Sequence, residues 1–100
     1  MMVDKFDNNL KPGDLVIQIK GWTKPLFIVT GQGKGKVRDI QTIWLNEYIL
    51  KGIKEGRIEK PAIYSWSGIQ IVKYDINLVP KETRDNYYDF LKILNIERPI

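Results

Sequence analysis

Apolar residues in this chain alternate first and recur at helical spacing only later. In Leu15-Val16-Ile17-Gln18-Ile19-Lys20, Leu15, Ile17 and Ile19 share one face while Gln18 and Lys20 take the other, the period of two of a half-buried strand. Lys11-Pro12-Gly13-Asp14 ahead of it is a turn signal, because proline fixes its own φ and glycine is free to take a positive one. Gly21 ends the strand and Gly21-Trp22-Thr23-Lys24-Pro25 makes a short loop. Leu26-Phe27-Ile28-Val29-Thr30 is a continuous β-branched and aromatic run that predicts a second, more buried strand. Gly31-Gln32-Gly33-Lys34-Gly35-Lys36 then reads as a glycine-rich loop tip, and 37–43 as a third strand.

Between 43 and 57 the period changes. Leu45, Ile49 and Ile53 recur at steps of four, as do Trp44 and Tyr48, with Asn46 placed to cap a helix and Gly56 to stop one. A short helix is the expectation here and a β-hairpin arm the competing one. Gly52 inside such a helix costs about 1 kcal/mol relative to alanine, so packing must hold it. Ala62-Ile63-Tyr64-Ser65-Trp66 and Ile69-Gln70-Ile71-Val72-Lys73-Tyr74, joined by Ser67-Gly68, predict a β-hairpin. Residues 75–80 predict a short last strand or extended segment with Leu78 and Val79 inward. From Lys81 to Leu94 the pattern is helical: Tyr87, Leu91 and Leu94 share a face, Glu82 and Asp85 suit the N-terminal end of the dipole, and Asn95 stands at the stop.

These elements predict a single, mainly β domain with an appended helix. Residues 1–10 form an irregular N-terminus, 11–80 an antiparallel barrel or bent sheet with an insertion at about 40–60, and 81–95 a C-terminal helix. Lys11-Pro12-Gly13-Asp14-Leu15-Val16, the Gly21 turn, Phe27-Ile28-Val29, Trp66-Ser67-Gly68 and Asn77-Leu78-Val79-Pro80 together resemble small SH3-like barrels, in particular bacterial and phage proteins with a PGD-x-V opening. The resemblance covers about half the chain. It implies no catalysis, and such barrels bind RNA, DNA, proline-rich peptides or protein partners.

Composition removes most chemistry. The chain of 100 residues has no cysteine and no histidine, so it offers no thiolate zinc site, no disulfide framework, no cysteine nucleophile and no imidazole base. The glycine-rich stretch lacks the Lys-Ser/Thr of a phosphate loop and the spacing of a dinucleotide fingerprint. Glu55 and Glu59 read as a solvated pair, and 4–9 lacks the glycine and terminal glutamate of a calcium loop. A non-enzymatic protein without cofactor or metal is expected. It should not be membrane-bound, because no secretory leader or membrane-length apolar run is present, and a cytoplasmic setting follows.

Charge adds a candidate surface. The net +4 comes from 16 basic and 12 acidic residues, and the whole excess lies in 15–38, which holds Lys20, Lys24, Lys34, Lys36 and Arg38 and no acid. Trp22 sits in the loop between Lys20 and Lys24, where an exposed ring could stack on a base or anchor a protein interface. Trp44 and Trp66 fall within elements and read as structural, and Tyr64 and Tyr74 as strand packing. Lys20, Trp22, Lys24, Lys34, Lys36 and Arg38 are therefore the candidate binding residues. They fit a protein-interaction module or small inhibitor docking through aromatic and basic surface, or alternatively a nucleic-acid-binding module using 20–38.

Overall fold

Pro12 and Gly13 reverse the chain just before the first strand. Gly13 has φ 97°, Asp14 N–H donates back to Lys11 C=O at 3.0 Å, and the Asp14 carboxylate accepts the Lys11 N–H at 2.9 Å. Glycine is needed there because a type II turn places its third residue at positive φ. The computed structural model describes residues 2–21, 23–33, 35–36 and 38–97. Its elements are β1 (Leu15–Gln18), β2 (Leu26–Gln32), β3 (Ile40–Trp44), α1 (Glu47–Lys54), β4 (Ile63–Trp66), β5 (Ile71–Lys73) and α2 (Lys81–Leu94), with 3-10 turns at Gly68–Gln70 and Ile76–Leu78.

All strand pairs are antiparallel and the order is β4-β3-β2-β1-β5. The antiparallel sheet and the terminal helix expected from the sequence are present; the sheet has five strands and is open, not closed into a barrel. The hairpin expectation fails. The stretch 62–74 is not a hairpin, since β4 and β5 lie at opposite edges and are joined by the 3-10 turn. Two local features drive this. Gln70 Oε1 accepts the Ser67 N–H at 2.9 Å, the return half of a Ser-x-x-Gln capping box that starts a helical turn. A Cβ on Gly68 would lie only 2.2 Å from Val3 C=O, so the glycine admits the N-terminal segment and serves no strand reversal.

The link also curls the sheet. A flat five-stranded sheet separates its outer strands by four spacings, about 19 Å. The five Cα steps from Trp66 to Ile71 reach about 17 Å when fully extended, and less through a 3-10 turn. The edges must approach, and both faces are then buried. On the convex face Leu15, Ile28 and Ile43 pack against Leu50 of α1, Val79, and Tyr87, Phe90 and Leu91 of α2. Within the curl lie Leu10, Val16, Phe27, Val29, Ile40 and Ile71, with Met2 and Trp66 against them. Val16, on the face expected to be polar, is therefore as deeply buried as Ile28.

Helix α1 starts where Asn46 Oδ1 accepts the N–H groups of Tyr48 and Ile49, at 2.9 and 3.1 Å. Gly52 lies under Ile58, whose Cδ1 would be 2.5 Å from an added Cβ, so the residue that weakens the helix lets the following chain fold back over it. Helix α2 ends as the sequence indicates. Asn95 is left-handed at φ 56°, and Ile96 N–H returns to Leu91 C=O at 2.9 Å. The 75–80 stretch is a 3-10 turn in place of a strand; Val79 points in and Leu78 points out.

The N-terminal segment closes the curl. Leu10 N–H donates to Met2 C=O and Lys5 N–H to Ile71 C=O. The Asp4 carboxylate, almost fully buried, accepts N–H groups from Phe6 and Asn8 at 2.9 Å each, the Asn8 amide at 3.0 Å and Lys73 N–H at 2.7 Å. Burial alone would raise its pKa. The donors, Lys73 N–H foremost, outweigh burial and hold the carboxyl below its ordinary value.

Two outcomes follow for stability. Leu91 is 2% exposed between α2 and the sheet, so Leu91→Ala should cost about 2–5 kcal/mol, read as a shift of the chemical denaturation midpoint. For Asp4 the folded pKa is depressed, so its contribution is fully present above the unfolded pKa of about 3.9 and is lost as pH falls below that value and through the lower, folded one. Asp4→Asn should cost about 2–4 kcal/mol at neutral pH, because an amide cannot accept from all four donors. The difference from the unsubstituted protein should shrink between about pH 5 and about pH 2 in denaturation curves.

Candidate interaction surface

The basic candidates do not form one patch. Lys20 and Lys24 lie in the β1–β2 loop and Lys36 and Arg38 in the β2–β3 loop, all exposed. Those loops sit at opposite ends of β2, whose seven residues span about 20 Å. Trp22 and Lys34 lie outside the described residues. The Lys36 end also carries acids: a cleft of about 410 Å³ nearby is lined by Lys5, Asp7 and Asp39.

The Lys24 end holds the larger groove, about 630 Å³, where the β1–β2 loop meets the β3–α1 junction and the first turns of α2. Thr23, Lys24 and Pro25 form one wall, Trp44, Glu47 and Tyr48 a second, and Glu82, Thr83 and Asn86 a third. Trp44, the last residue of β3, is 37% exposed, and Tyr48, on the first turn of α1, is 74% exposed. Two large rings at the rim of one groove are candidate anchors for an apolar partner. Around them stand one lysine and two glutamates.

Lys24 itself is strained. Its φ of 41° lies in the left-handed region, and it precedes a proline, which further restricts its backbone. A non-glycine residue in such a conformation costs of order 1–3 kcal/mol and tends to occur where a binding loop is held in shape by its surroundings. Gln18 N–H donating to Pro25 C=O at 3.1 Å ties this loop to the end of β1.

The other tryptophan and tyrosine candidates are structural, as the sequence suggests. Trp66 Nε1–H donates to Thr42 Oγ1 at 3.1 Å, Thr42 donates to Tyr64 C=O at 2.9 Å, and Phe27 meets the rings of Tyr64 and Trp66 edge-on at 5.6 and 5.1 Å. Tyr74 packs at the margin of the helix-side core. Glu55 pairs with Arg57 at 3.1 Å, and Lys54 with Asp89 at 2.7 Å bridges the two helices on the surface. A third cleft, about 470 Å³, contains Lys11, Asp14 and Lys73, but there the Asp14 carboxylate already accepts Lys11 N–H and stands 3.7 Å from Lys73 Nζ.

Sequence reasoning missed Trp44, Tyr48, Glu47 and Glu82 as site residues. The helical spacing of Trp44 and Tyr48 was visible, but Trp44 belongs to β3, so the two rings are brought together by the strand–helix junction and not by one helix face. Among the described residues no helix is long and apolar enough to cross a membrane, and no cluster of carboxylates could hold a metal ion. No family model, curated protein or solved structure matches the chain. Relieving the strain at Lys24 should be visible directly: Lys24→Gly should stabilise the fold by about 1 kcal/mol, measured as a higher denaturation midpoint.

Proposed function

We propose that the protein is a non-enzymatic interaction module of SH3-like type that binds a segment of a partner protein in the groove between Lys24, Trp44, Tyr48 and the start of α2. The observation that carries this is the pair of exposed rings, Trp44 and Tyr48, beside charges of both signs in one groove. Rings supply contact area at small entropic cost, and Glu47 and Glu82 favour a partner segment with a cation next to its apolar residues. The five-stranded curled sheet, with a 3-10 turn between β4 and β5, supports the SH3-like part of the proposal.

Nucleic acid fits this surface less well. Phosphates gain affinity from clustered cations. Here the described basic residues of 20–38 are divided between two ends of a strand, and the groove with the exposed rings carries two carboxylates.

The test selects peptides from a random displayed library on the full chain, then titrates them by fluorescence anisotropy beside labelled single-stranded and duplex oligonucleotides. Tyr48 is exposed, so Tyr48→Ala should leave stability within about 0.5 kcal/mol. Peptide affinity should fall about tenfold or more in Tyr48→Ala, with Glu82→Lys selecting against peptides that carry a basic residue. Peptides that bind both variants as well as the parent would overturn the proposal. So would saturable oligonucleotide binding whose salt slope reports about three or four phosphate contacts, which would put the nucleic-acid alternative in its place.

A further inference from the structure

The two edges of the sheet are treated differently. On β5 the outward backbone is occupied: Ile71 C=O accepts Lys5 N–H at 3.1 Å and Lys73 N–H reaches the Asp4 carboxylate at 2.7 Å. On β4, nothing comparable exists among the described residues. Which of its groups face outward follows from the ladder. Leu45 N–H donates to Leu26 C=O at 2.9 Å, so residues 45 and 43 aim their backbone groups at β2, and 44 and 42 aim theirs at β4. Thr42 pairs with Tyr64 and Ile40 with Trp66, so Tyr64 and Trp66 are bonded to β3, and Ile63 and Ser65 present N–H and C=O groups to solvent.

Edge strands are ordinarily protected by charge, most often lysine. This one is not. Residues 61–72, Pro-Ala-Ile-Tyr-Ser-Trp-Ser-Gly-Ile-Gln-Ile-Val, are the longest uncharged run in a chain that is 28% charged. Ile63 is 62% and Tyr64 38% exposed. In a protein carrying +4, two copies repel each other broadly, and this edge is where close approach meets no like charge.

We propose that the open edge of β4 pairs with β4 of a second copy, antiparallel about a two-fold axis, to give a continuous ten-stranded sheet. Centring the axis on Tyr64 sets Ile63 opposite Ser65 of the other copy and forms four backbone hydrogen bonds. The two Tyr64 rings then stand directly across a non-hydrogen-bonded pair, the closest cross-strand position. The occupied β5 edge explains why association closes at two. Adding β4 of one copy to β5 of the next would build an open fibre, and Lys5 and Asp4 already fill that position.

An interface built on four-residue strands is small, so association should be weak and concentration-dependent. Sedimentation velocity of the full chain from about 1 μM to about 1 mM should show the mass rising from 11.7 kDa toward twice that value. Ser65→Pro removes one outward donor without touching the bonds to β3, and proline is tolerated on the solvent side of an edge strand. It should stay monomeric throughout while keeping the far-UV spectrum of the dilute parent. Tyr64→Lys, which sets like charges opposite each other, is the second variant should Ser65→Pro not fold, and it should also stay monomeric. Tyr48→Ala, which disables the groove, should dimerise unchanged, so failure of one proposal does not carry the other with it. A monomer at about 1 mM, a folded Ser65→Pro that dimerises like the parent, or mass that climbs past the dimer would each overturn the inference.

Discussion

Five Cα steps between Trp66 and Ile71 decide the shape of this domain. They join strands at opposite edges of one sheet, and no flat sheet allows that. Curling is the only solution, and curling creates a second interior. The convex face is covered by α1 and α2, and the concave face by the sheet itself, so neighbouring residues such as Leu15 and Val16 enter different cores. The continuous apolar run 26–29 in β2 has the same cause, because a strand buried on both faces needs no polar alternate.

A curled sheet that does not close leaves a gap, and the N-terminal segment fills it. Residues 2–10 cross from the 3-10 turn to β5, with Gly68 permitting the approach at Val3 and Asp4 joining to Lys73 across 69 positions of sequence. A buried carboxylate is costly unless it is fully bonded. Here four donors converge on Asp4, three of them backbone N–H groups that would otherwise lack partners at a turn or a sheet edge. The same carboxylate therefore stabilises the turn of its own segment and protects one edge of the sheet.

Much of the local structure was legible. The Pro-Gly turn, β1, β2, the Asn46 cap and the Asn95 stop all rest on side-chain or φ requirements that act within a few residues. What was not legible depends on distance in space. Ser67-Gly68 carries both a hairpin signature and a Ser-x-x-Gln capping signature, and local chemistry alone does not choose between them. The choice is made by Val3, more than sixty positions away, packing on Gly68. Asp4 looked like one acid in a polar tail for the same reason. The candidate site suffered most. The acid-free stretch 15–38 is continuous in sequence, yet β2 runs through its middle and carries its two halves to opposite ends of the sheet.

The position of that strand limits where the domain can meet a partner. With both faces of the sheet committed to cores, Trp44 and Tyr48 are left exposed at one strand end and Ile63 and Tyr64 along β4, while Phe6, Ile69 and Leu78 stand exposed on turns and Ile93 on α2. Strand ends are places where loops can be shaped without disturbing the core, and an open strand edge presents backbone groups already aligned. The strained Lys24 backbone belongs to the first kind of surface and the uncharged β4 edge to the second. They adjoin across the β3–β4 ladder but rely on different forces. The proposed groove would draw on side-chain rings and charge, whereas the proposed pairing of β4 would draw on main-chain hydrogen bonds.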